Sequence, residues 1–132
     1  LPTPLAAAAP LLVAVGGALG SMARYGAGVL VGQAWGASFP LGTMLINIVG
    51  SLAMGLFIGF LVRTTPSWQS DGRLFVAVGI LGGFTTFSSF SLDAISMLER
   101  GDFGPALLYV LVSVLVGIGA LYGGLVLMRG AA

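Results

Sequence analysis

Residues 79–91 read Gly-Ile-Leu-Gly-Gly-Phe-Thr-Thr-Phe-Ser-Ser-Phe-Ser and lie inside a long apolar run over residues 74–98. Glycine in a helix interior costs about 1 kcal/mol relative to alanine, and β-branched threonine also lowers helix propensity. The pattern therefore predicts a helix that breaks near its middle. If this helix crosses a membrane, the backbone groups freed by the break must be buried in protein or must line a cavity.

Three further apolar runs accompany this one, over residues 11–31, 41–62 and 105–128. Each of the four is near the ~20 residues that a helix needs to cross the hydrocarbon layer. Hydrophobic residues make up 58% of the 132-residue chain and charged residues only 7%, against about 25% charged residues in ordinary soluble domains. The runs are also unbroken, whereas the strands of a membrane β-barrel alternate in polarity. We therefore predict an all-α membrane protein with one domain over residues 1–132 and four transmembrane helices.

The composition also excludes several classes of function. The chain has no Cys and no His, which rules out disulfides, zinc sites, thiol nucleophiles and histidine bases. No pair of nucleophile and base is visible, so we do not expect an enzyme. The net charge is +1, without the basic stripe that nucleic-acid binding requires. Residues 1–10 carry no basic residue, and we do not read them as a secretory signal.

The arginines give only a weak signal for orientation. Four crossings place both termini and the loop over residues 63–73 on one side of the membrane. Arg63, Arg73 and Arg129 lie on that side and Arg100 on the other. The positive-inside rule favours cytoplasmic termini, but so small a bias is compatible with insertion in both orientations.

Glycine pairs spaced by four residues recur along the helices. Residues at this spacing share a helix face and let another helix approach closely. We expect each pair to pack against a neighbouring helix, and together they offer more packing surface than one four-helix chain needs, so an oligomer is expected. The pairs are Gly16 and Gly20, Gly28 and Gly32, Gly55 and Gly59, and Gly119 and Gly123.

Polar side chains inside the runs are informative because each is costly in lipid and must face protein or water. Thr43, Asn47 and Ser51 follow one another at a spacing of four and form one stripe. Tyr109 and Ser113 share a face of the last helix in the same way. Either these groups join helices by hydrogen bonds, or they line a pathway for a polar solute.

The rings of Phe87 and Phe90 can likewise be interpreted as packing residues or as part of a polar pathway. They lie three residues apart, hence on nearly the same helix face, and the hydroxyls of Ser88 and Ser89 lie between them. An isolated phenylalanine in a membrane helix usually contacts lipid or core, but hydroxyl neighbours favour a polar pathway. Carbonyl groups freed by a break at residues 82–85 are hard oxygen ligands, and discontinuous helices recur as ion sites in membranes.

In these features the sequence resembles the Fluc-type fluoride channels, also called the CrcB family. The resemblance covers nearly the whole chain. Its motifs are Gly16-Gly17-Ala18-Leu19-Gly20-Ser21 leading to Arg24-Tyr25, Gly42-Thr43 followed by Asn47, Gly50 and Ser51, and above all Gly82-Gly83-Phe84-Thr85-Thr86-Phe87-Ser88-Ser89-Phe90-Ser91.

The resemblance implies an antiparallel, dual-topology homodimer in the cell inner (plasma) membrane, which exports toxic fluoride passively. Two pores would run along the dimer interface, and a structural Na⁺ would sit at its centre, held by the backbone carbonyls of Gly82 and Thr85. Arg24 would supply positive potential near a pore mouth or anchor a helix end. The implied fluoride pore residues are Thr43, Asn47, Phe87, Ser88, Ser89, Phe90, Tyr109 and Ser113.

The residue types suit a small, tightly hydrated anion. Asn, Ser, Thr and Tyr donate hydrogen bonds, the positive edge of a phenyl ring attracts anions, and several weak sites in a row allow passage without trapping. One alternative is a small four-helix, proton-coupled multidrug transporter, which needs a titratable group within the membrane. The acidic residues are Asp71, Asp93, Glu99 and Asp102. Three of them lie in loops and Asp93 lies toward the end of the third run, so none is placed at mid-membrane. Another alternative is a non-conducting scaffold subunit.

Overall fold

The chain folds into helices joined by short turns. A computed structural model describes residues 8–130, and no β-strand occurs in that range, which confirms the prediction of an all-α fold. Residues 1–7, which contain most of the segment that we do not read as a secretory signal, lie outside the described residues, as do residues 131–132 of the predicted domain. The helices are α1 (Ala8–Trp35), α2 (Leu41–Thr64), α3 (residues 69–84), α4 (Phe87–Glu99) and α5 (Phe103–Arg129).

Three stretches of the described chain are long and apolar enough to cross a membrane: Leu41–Thr64, Gln69–Glu99 and Phe103–Arg129. The second of these comprises α3 and α4 together, so the chain is a multi-pass membrane protein. The first helix, α1, has 28 residues, which is sufficient length, but Arg24 and several glycines make it less apolar. That α1 is a fourth crossing stays a prediction.

The third crossing departs twice from regular α-helix. Within α3, the segment Arg73–Leu81 is π-helical, and π-helix is rare in proteins beyond a single turn. After the last helical turn, Gly82–Phe84, the backbone becomes extended, with ψ of 155° at Thr85 and φ of −150° at Thr86. Regular helix resumes at Phe87. The predicted break near the middle of the third helix is therefore confirmed.

Glycines set the closest contacts between helices. A Cβ atom at Gly55 would collide with the carbonyl oxygen of Leu121, so α2 and α5 touch backbone to backbone at this point. A Cβ atom at Gly20 would likewise collide with the carbonyl oxygen of Ile80, where α1 meets α3. Close packing is therefore confirmed for two of the four predicted pairs, Gly16 with Gly20 and Gly55 with Gly59.

The other two glycine pairs leave open space where a side chain would begin. A Cβ atom added at Gly28, Gly32, Gly119 or Gly123 would meet nothing within 4 Å among residues 8–130. On α5 the contact with α2 is made instead by Gly124, whose added Cβ would lie 2.7 Å from the carbonyl oxygen of Leu52. That these two pairs pack against another helix stays a prediction, because the space beside each of them is open among residues 8–130.

The buried core is small and the outer surface is apolar. A cluster of Phe90, Met97, Ala106 and Tyr109 fills the space between α4 and α5. By contrast, large apolar side chains such as Leu115 and Ile118 are about two-thirds exposed. A soluble monomer rarely exposes so much contiguous apolar surface, so lipid or another protein must cover it.

Candidate functional site

The break between α3 and α4 is held by a side chain from α2. The amide nitrogen of Asn47 donates a hydrogen bond to the carbonyl oxygen of Thr86, at 3.1 Å. The backbone N–H of Thr86 donates to the amide oxygen of Asn47, at 2.8 Å. One asparagine thus satisfies both backbone groups of a residue that has left the helix.

The start of α4 is capped by the same threonine. The hydroxyl of Thr86 accepts a hydrogen bond from the backbone N–H of Ser89, at 3.1 Å. This is the usual role of threonine at a helix N-terminus, where the first N–H groups lack partners within the helix. Ser88 is exposed, and its hydroxyl lies 3.1 Å from that of Thr86.

Arg24 closes the other side of the break. Its Nε atom donates to the carbonyl oxygen of Gly83, at 3.0 Å, although 59 residues separate the two in sequence. The last four carbonyl groups of a helix have no partner within it, and a cation is favourable beside them. The structure therefore places this arginine at the C-terminal end of α3, partly buried between helices.

Two carbonyl groups at the break remain without a donor. The carbonyl oxygen of Leu81 accepts from both the N–H and the hydroxyl of Thr85. The carbonyl oxygens of Gly82 and Thr85, in contrast, accept no hydrogen bond within residues 8–130. These are the two groups that the resemblance assigns to sodium. Gly82 is also exposed on the surface of the single chain, where a further ligand can approach.

A groove of about 300 Å³ runs beside the break and brings together four of the predicted pore residues: Asn47, Phe87, Phe90 and Ser113. The two phenyl rings lie 5.6 Å apart between centroids and are tilted by 43°. Phe87 is 79% exposed, whereas Phe90 is only 9% exposed. Along its whole lining the groove has no ionisable side chain.

Ser113 is the unusual member of this groove. Its side chain is buried, and its hydroxyl has no hydrogen-bond partner within the described part of the chain. Removing a hydroxyl from water without a compensating hydrogen bond is unfavourable. A buried hydroxyl without a partner at the wall of a groove is therefore available to a ligand inside the groove.

A second groove of about 430 Å³ lies on the other side of the break. Its lining includes Arg24, Thr43, Ser89 and Asp93. Thr43 and Ser89, which the resemblance assigns to the fluoride pore, therefore belong to this second groove, and only Thr86 among the residues of the break borders both. The guanidinium and the carboxylate make the second groove the more polar of the two.

Tyr109 lies in the core rather than in either groove. Its side chain is fully buried, and its ring packs against Phe39 edge to face and against Phe90 at 5.2 Å between centroids. Its hydroxyl donates to the carboxylate of Asp93, at 3.0 Å. Asp93 shares a helix face with Phe90, three residues earlier, but its contact with Tyr109 depends on how α4 packs on α5.

Known proteins are similar to this chain over most of its length. A sequence profile of the family described as "CrcB-like protein, Camphor Resistance (CrcB)" matches residues 11–125. A protein of Agrobacterium fabrum named "Fluoride-specific ion channel FluC" is 49% identical over 118 residues, which cover 89% of this chain and 94% of that protein. A protein of the same name from Nitrobacter winogradskyi is 48% identical over 120 residues, or 90% of this chain and 94% of its own length. The family resemblance is thereby confirmed, and the chain belongs to the CrcB-like family.

Proposed function

We propose that this protein is a fluoride channel that conducts the ion passively. One observation carries the proposal: the groove beside the break joins the rings of Phe87 and Phe90, the amide of Asn47 and the unpartnered hydroxyl of Ser113, with no ionisable group. The similar proteins of Agrobacterium fabrum and Nitrobacter winogradskyi carry the name of fluoride-specific ion channels. Membership of this family also confirms the prediction that the chain is not an enzyme.

The chemistry of the groove suits selection of fluoride. A small anion leaves its water shell only where donors replace it, and the hydroxyl of Ser113 has no other partner within residues 8–130. The positive edges of aromatic rings add weak attraction without charge. A fixed ammonium or guanidinium would bind fluoride more firmly, whereas a row of weak sites lets an ion leave as easily as it arrives.

We further propose that two copies of the chain form an antiparallel dimer with a pore along each side of the interface. In a single chain the groove is open and Phe87 is largely exposed, so a second copy would supply the missing wall. The open grooves at Gly28, Gly32, Gly119 and Gly123 offer close contact surfaces to that copy. The inner (plasma) membrane is the expected location.

Dual insertion can be tested by labelling, because the chain has no native cysteine. A single cysteine replacing Ser67, in the loop between α2 and α3, should react with impermeant maleimides from both sides of sealed vesicles. Labelling from only one side of a population of known orientation would reject dual topology and leave the channel proposal intact.

The proposal includes a structural Na⁺ at the dimer centre. The residues fit such an ion, since the carbonyl oxygens of Gly82 and Thr85 are hard ligands with no other partner within residues 8–130. Bound there, Na⁺ would neutralise a cluster of carbonyl dipoles that is otherwise unfavourable at membrane depth. The chain's own contribution is to leave these two oxygens without another partner at the break. The dimer should unfold at a higher temperature in NaCl than in choline chloride at equal ionic strength, and equal temperatures would argue against the ion.

A proton-coupled multidrug transporter remains the second candidate. The observation in its favour is Asp93, a carboxylate within the third crossing that lines the second groove. Such a carrier exchanges protons for an organic cation, so its transport would collapse without a proton gradient. Passive anion flux needs no such gradient.

The experiment that decides between these functions is flux from liposomes that contain the purified protein. Under an outward gradient of KF with valinomycin, fluoride efflux should be rapid and independent of pH gradients. Under the same gradient of KCl, chloride efflux should remain at the level of protein-free liposomes. Chloride efflux as fast as fluoride efflux would contradict selectivity, and absence of both would contradict the channel proposal.

A further inference from the structure

Asn47 lines the groove, but its side chain is also hydrogen-bonded to the backbone of the break. Its amide oxygen and amide nitrogen are both engaged with the backbone of Thr86, at 2.8 and 3.1 Å. Of the groups that could bind an anion, only one N–H of the amide is left free. A side chain committed in this way to main-chain atoms is poorly suited to act as a pore ligand alone.

The backbone of Thr86 needs such a partner. In a continuous helix its N–H would donate to the carbonyl oxygen of Gly82, four residues earlier. The extended conformation at Thr85 and Thr86 removes that bond, and an unpaired backbone group buried away from water is strongly unfavourable. The amide of Asn47 replaces the lost partners much as a neighbouring β-strand would.

The surface of α2 around Asn47 is shaped to receive this segment. Gly50 lies three residues further along the same helix face. A Cβ atom at Gly50 would collide with the Cγ2 atom of Thr85 and lie 3.2 Å from the ring of Phe84. Gly50 therefore lets the extended segment approach α2 closely, and Asn47 binds its backbone. These are two independent features of the same face of α2.

We infer that Asn47 is a positioning residue, which holds the third crossing open at Thr86. It thereby aims Phe87 into the groove, and by engaging the N–H of Thr86 it leaves the carbonyl oxygen of Gly82 without its helical donor. The inference rests on the proposed channel for its functional meaning. The hydrogen bonds on which it depends can nevertheless be measured without fluoride.

Threonine-selective NMR of the intact protein in detergent micelles tests this directly. The chain has only six threonines, Thr3, Thr43, Thr64, Thr65, Thr85 and Thr86, so their ¹⁵N and ¹³C signals can be resolved. In the wild type, Thr85 and Thr86 should show the carbon shifts of extended backbone. In Asn47→Ala the amide proton of Thr86 should exchange with water about tenfold faster or more, since a buried group loses its hydrogen bond, and both carbon shifts should move toward helical values.

The matched control is Ser51→Ala, one turn further along the same face. Ser51 lines the same groove but makes no hydrogen bond to the break, so the exchange and carbon shifts of Thr86 should stay as in the wild type. If Asn47→Ala also left them unchanged while fluoride flux fell, Asn47 would be a pore ligand only and the inference would be wrong. If the wild type conducted no fluoride but the shifts behaved as expected, the channel proposal would fail and the positioning role would stand.

A second variant decides the matter if Asn47→Ala does not assemble. Asn47→Asp keeps an acceptor for the N–H of Thr86 but loses the donor to its carbonyl oxygen. The amide proton of Thr86 should therefore stay protected, within about threefold of the wild type, while its carbonyl ¹³C signal shifts. An unchanged carbonyl signal would overturn the inference.

Discussion

The third crossing and the last helix differ in how they keep polar backbone away from lipid. The helix α5 runs without interruption over 27 residues, so its interior N–H and C=O groups are satisfied within the helix. The third crossing is π-helical over Arg73–Leu81 and extended at Thr85 and Thr86. The carbonyl group of Gly83 and the backbone of Thr86 take partners from other helices, Arg24 on α1 and Asn47 on α2, whereas the carbonyl oxygens of Gly82 and Thr85 find no donor within residues 8–130.

The continuous helix and the broken crossing therefore contribute different groups to the candidate site. The continuous helix contacts α2 through glycines and contributes one unpartnered hydroxyl, Ser113, to the groove. The broken crossing supplies the two phenyl rings and the free carbonyl groups. An interrupted helix exposes backbone and ring edges at membrane depth that a continuous helix would conceal. Substitutions in the two regions should therefore fail in different ways.

The largest effect is expected where α2 and α5 touch. In Gly55→Ala the new Cβ atom collides with the backbone of α5, which cannot rotate away as a side chain can. Destabilisation should reach about 3 kcal/mol, the upper end for overpacked sites, and should appear in the thermal unfolding of the purified protein. Gly104→Ala is the control, because a Cβ atom there meets no described residue within 4 Å, and equal losses in both would contradict the packing.

The next effect concerns the end of α3. Arg24→Met keeps the length of the side chain but removes the donor to the carbonyl oxygen of Gly83. A partly buried acceptor left without a donor costs about 1–3 kcal/mol, so we expect the unfolding midpoint in denaturant to fall accordingly. A variant as stable as the wild type would show that water replaces the guanidinium at this carbonyl group.

The sequence predicts the main features of the fold because they depend on local pattern. The four apolar runs lie in helical structure, although the third is interrupted at Thr85 and Thr86 and the first is less apolar than the others. The break was foreseeable from Gly82, Gly83 and the two threonines that follow. The π-helical segment over Arg73–Leu81 was not, because its apolar residues suit an α-helix equally well.

Contacts between residues of different helices could not be predicted from the sequence in the same way. The stripe of Thr43, Asn47 and Ser51 is visible in sequence, but that Asn47 bonds the backbone of Thr86 depends on how α2 meets the break. Similarly, Gly124 rather than Gly123 packs on α2. Which of two neighbouring glycines faces the other helix depends on how α5 is rotated about its axis. Tertiary contacts set this rotation, and the spacing of glycines in the sequence does not.

A smaller effect is expected at Ser113, and stability and transport should move in opposite directions there. Without a ligand, removing an unpartnered buried hydroxyl should be neutral or stabilising by up to about 1 kcal/mol. With fluoride as its ligand, Ser113→Ala should conduct severalfold more slowly. Thermal unfolding and fluoride efflux from the same preparation measure both, and unchanged efflux would remove this hydroxyl from the pathway.

The smallest effect is expected at the exposed turns. Arg100 pairs with Asp102 at 3.2 Å and donates to the carbonyl oxygen of Ser38 at 3.0 Å, with both charged side chains nearly half exposed. Exposed ion pairs of this kind contribute about 0–1 kcal/mol. We expect Arg100→Ala to lower the unfolding midpoint slightly and to leave fluoride efflux unchanged, and a large loss of efflux would link these turns to the pore.

The most direct test of the account is the fluoride efflux rate of Phe87→Ile in liposomes, compared with that of Phe60→Ile. Both variants keep apolar bulk and remove one ring, but Phe87 lies at the break and lines the groove, whereas Phe60 stacks on Trp68 at the far end of α2. The account predicts that Phe87→Ile loses most of its efflux while remaining assembled, and that Phe60→Ile conducts like the wild type. Wild-type efflux in Phe87→Ile would contradict the claim that the broken crossing carries the fluoride pathway.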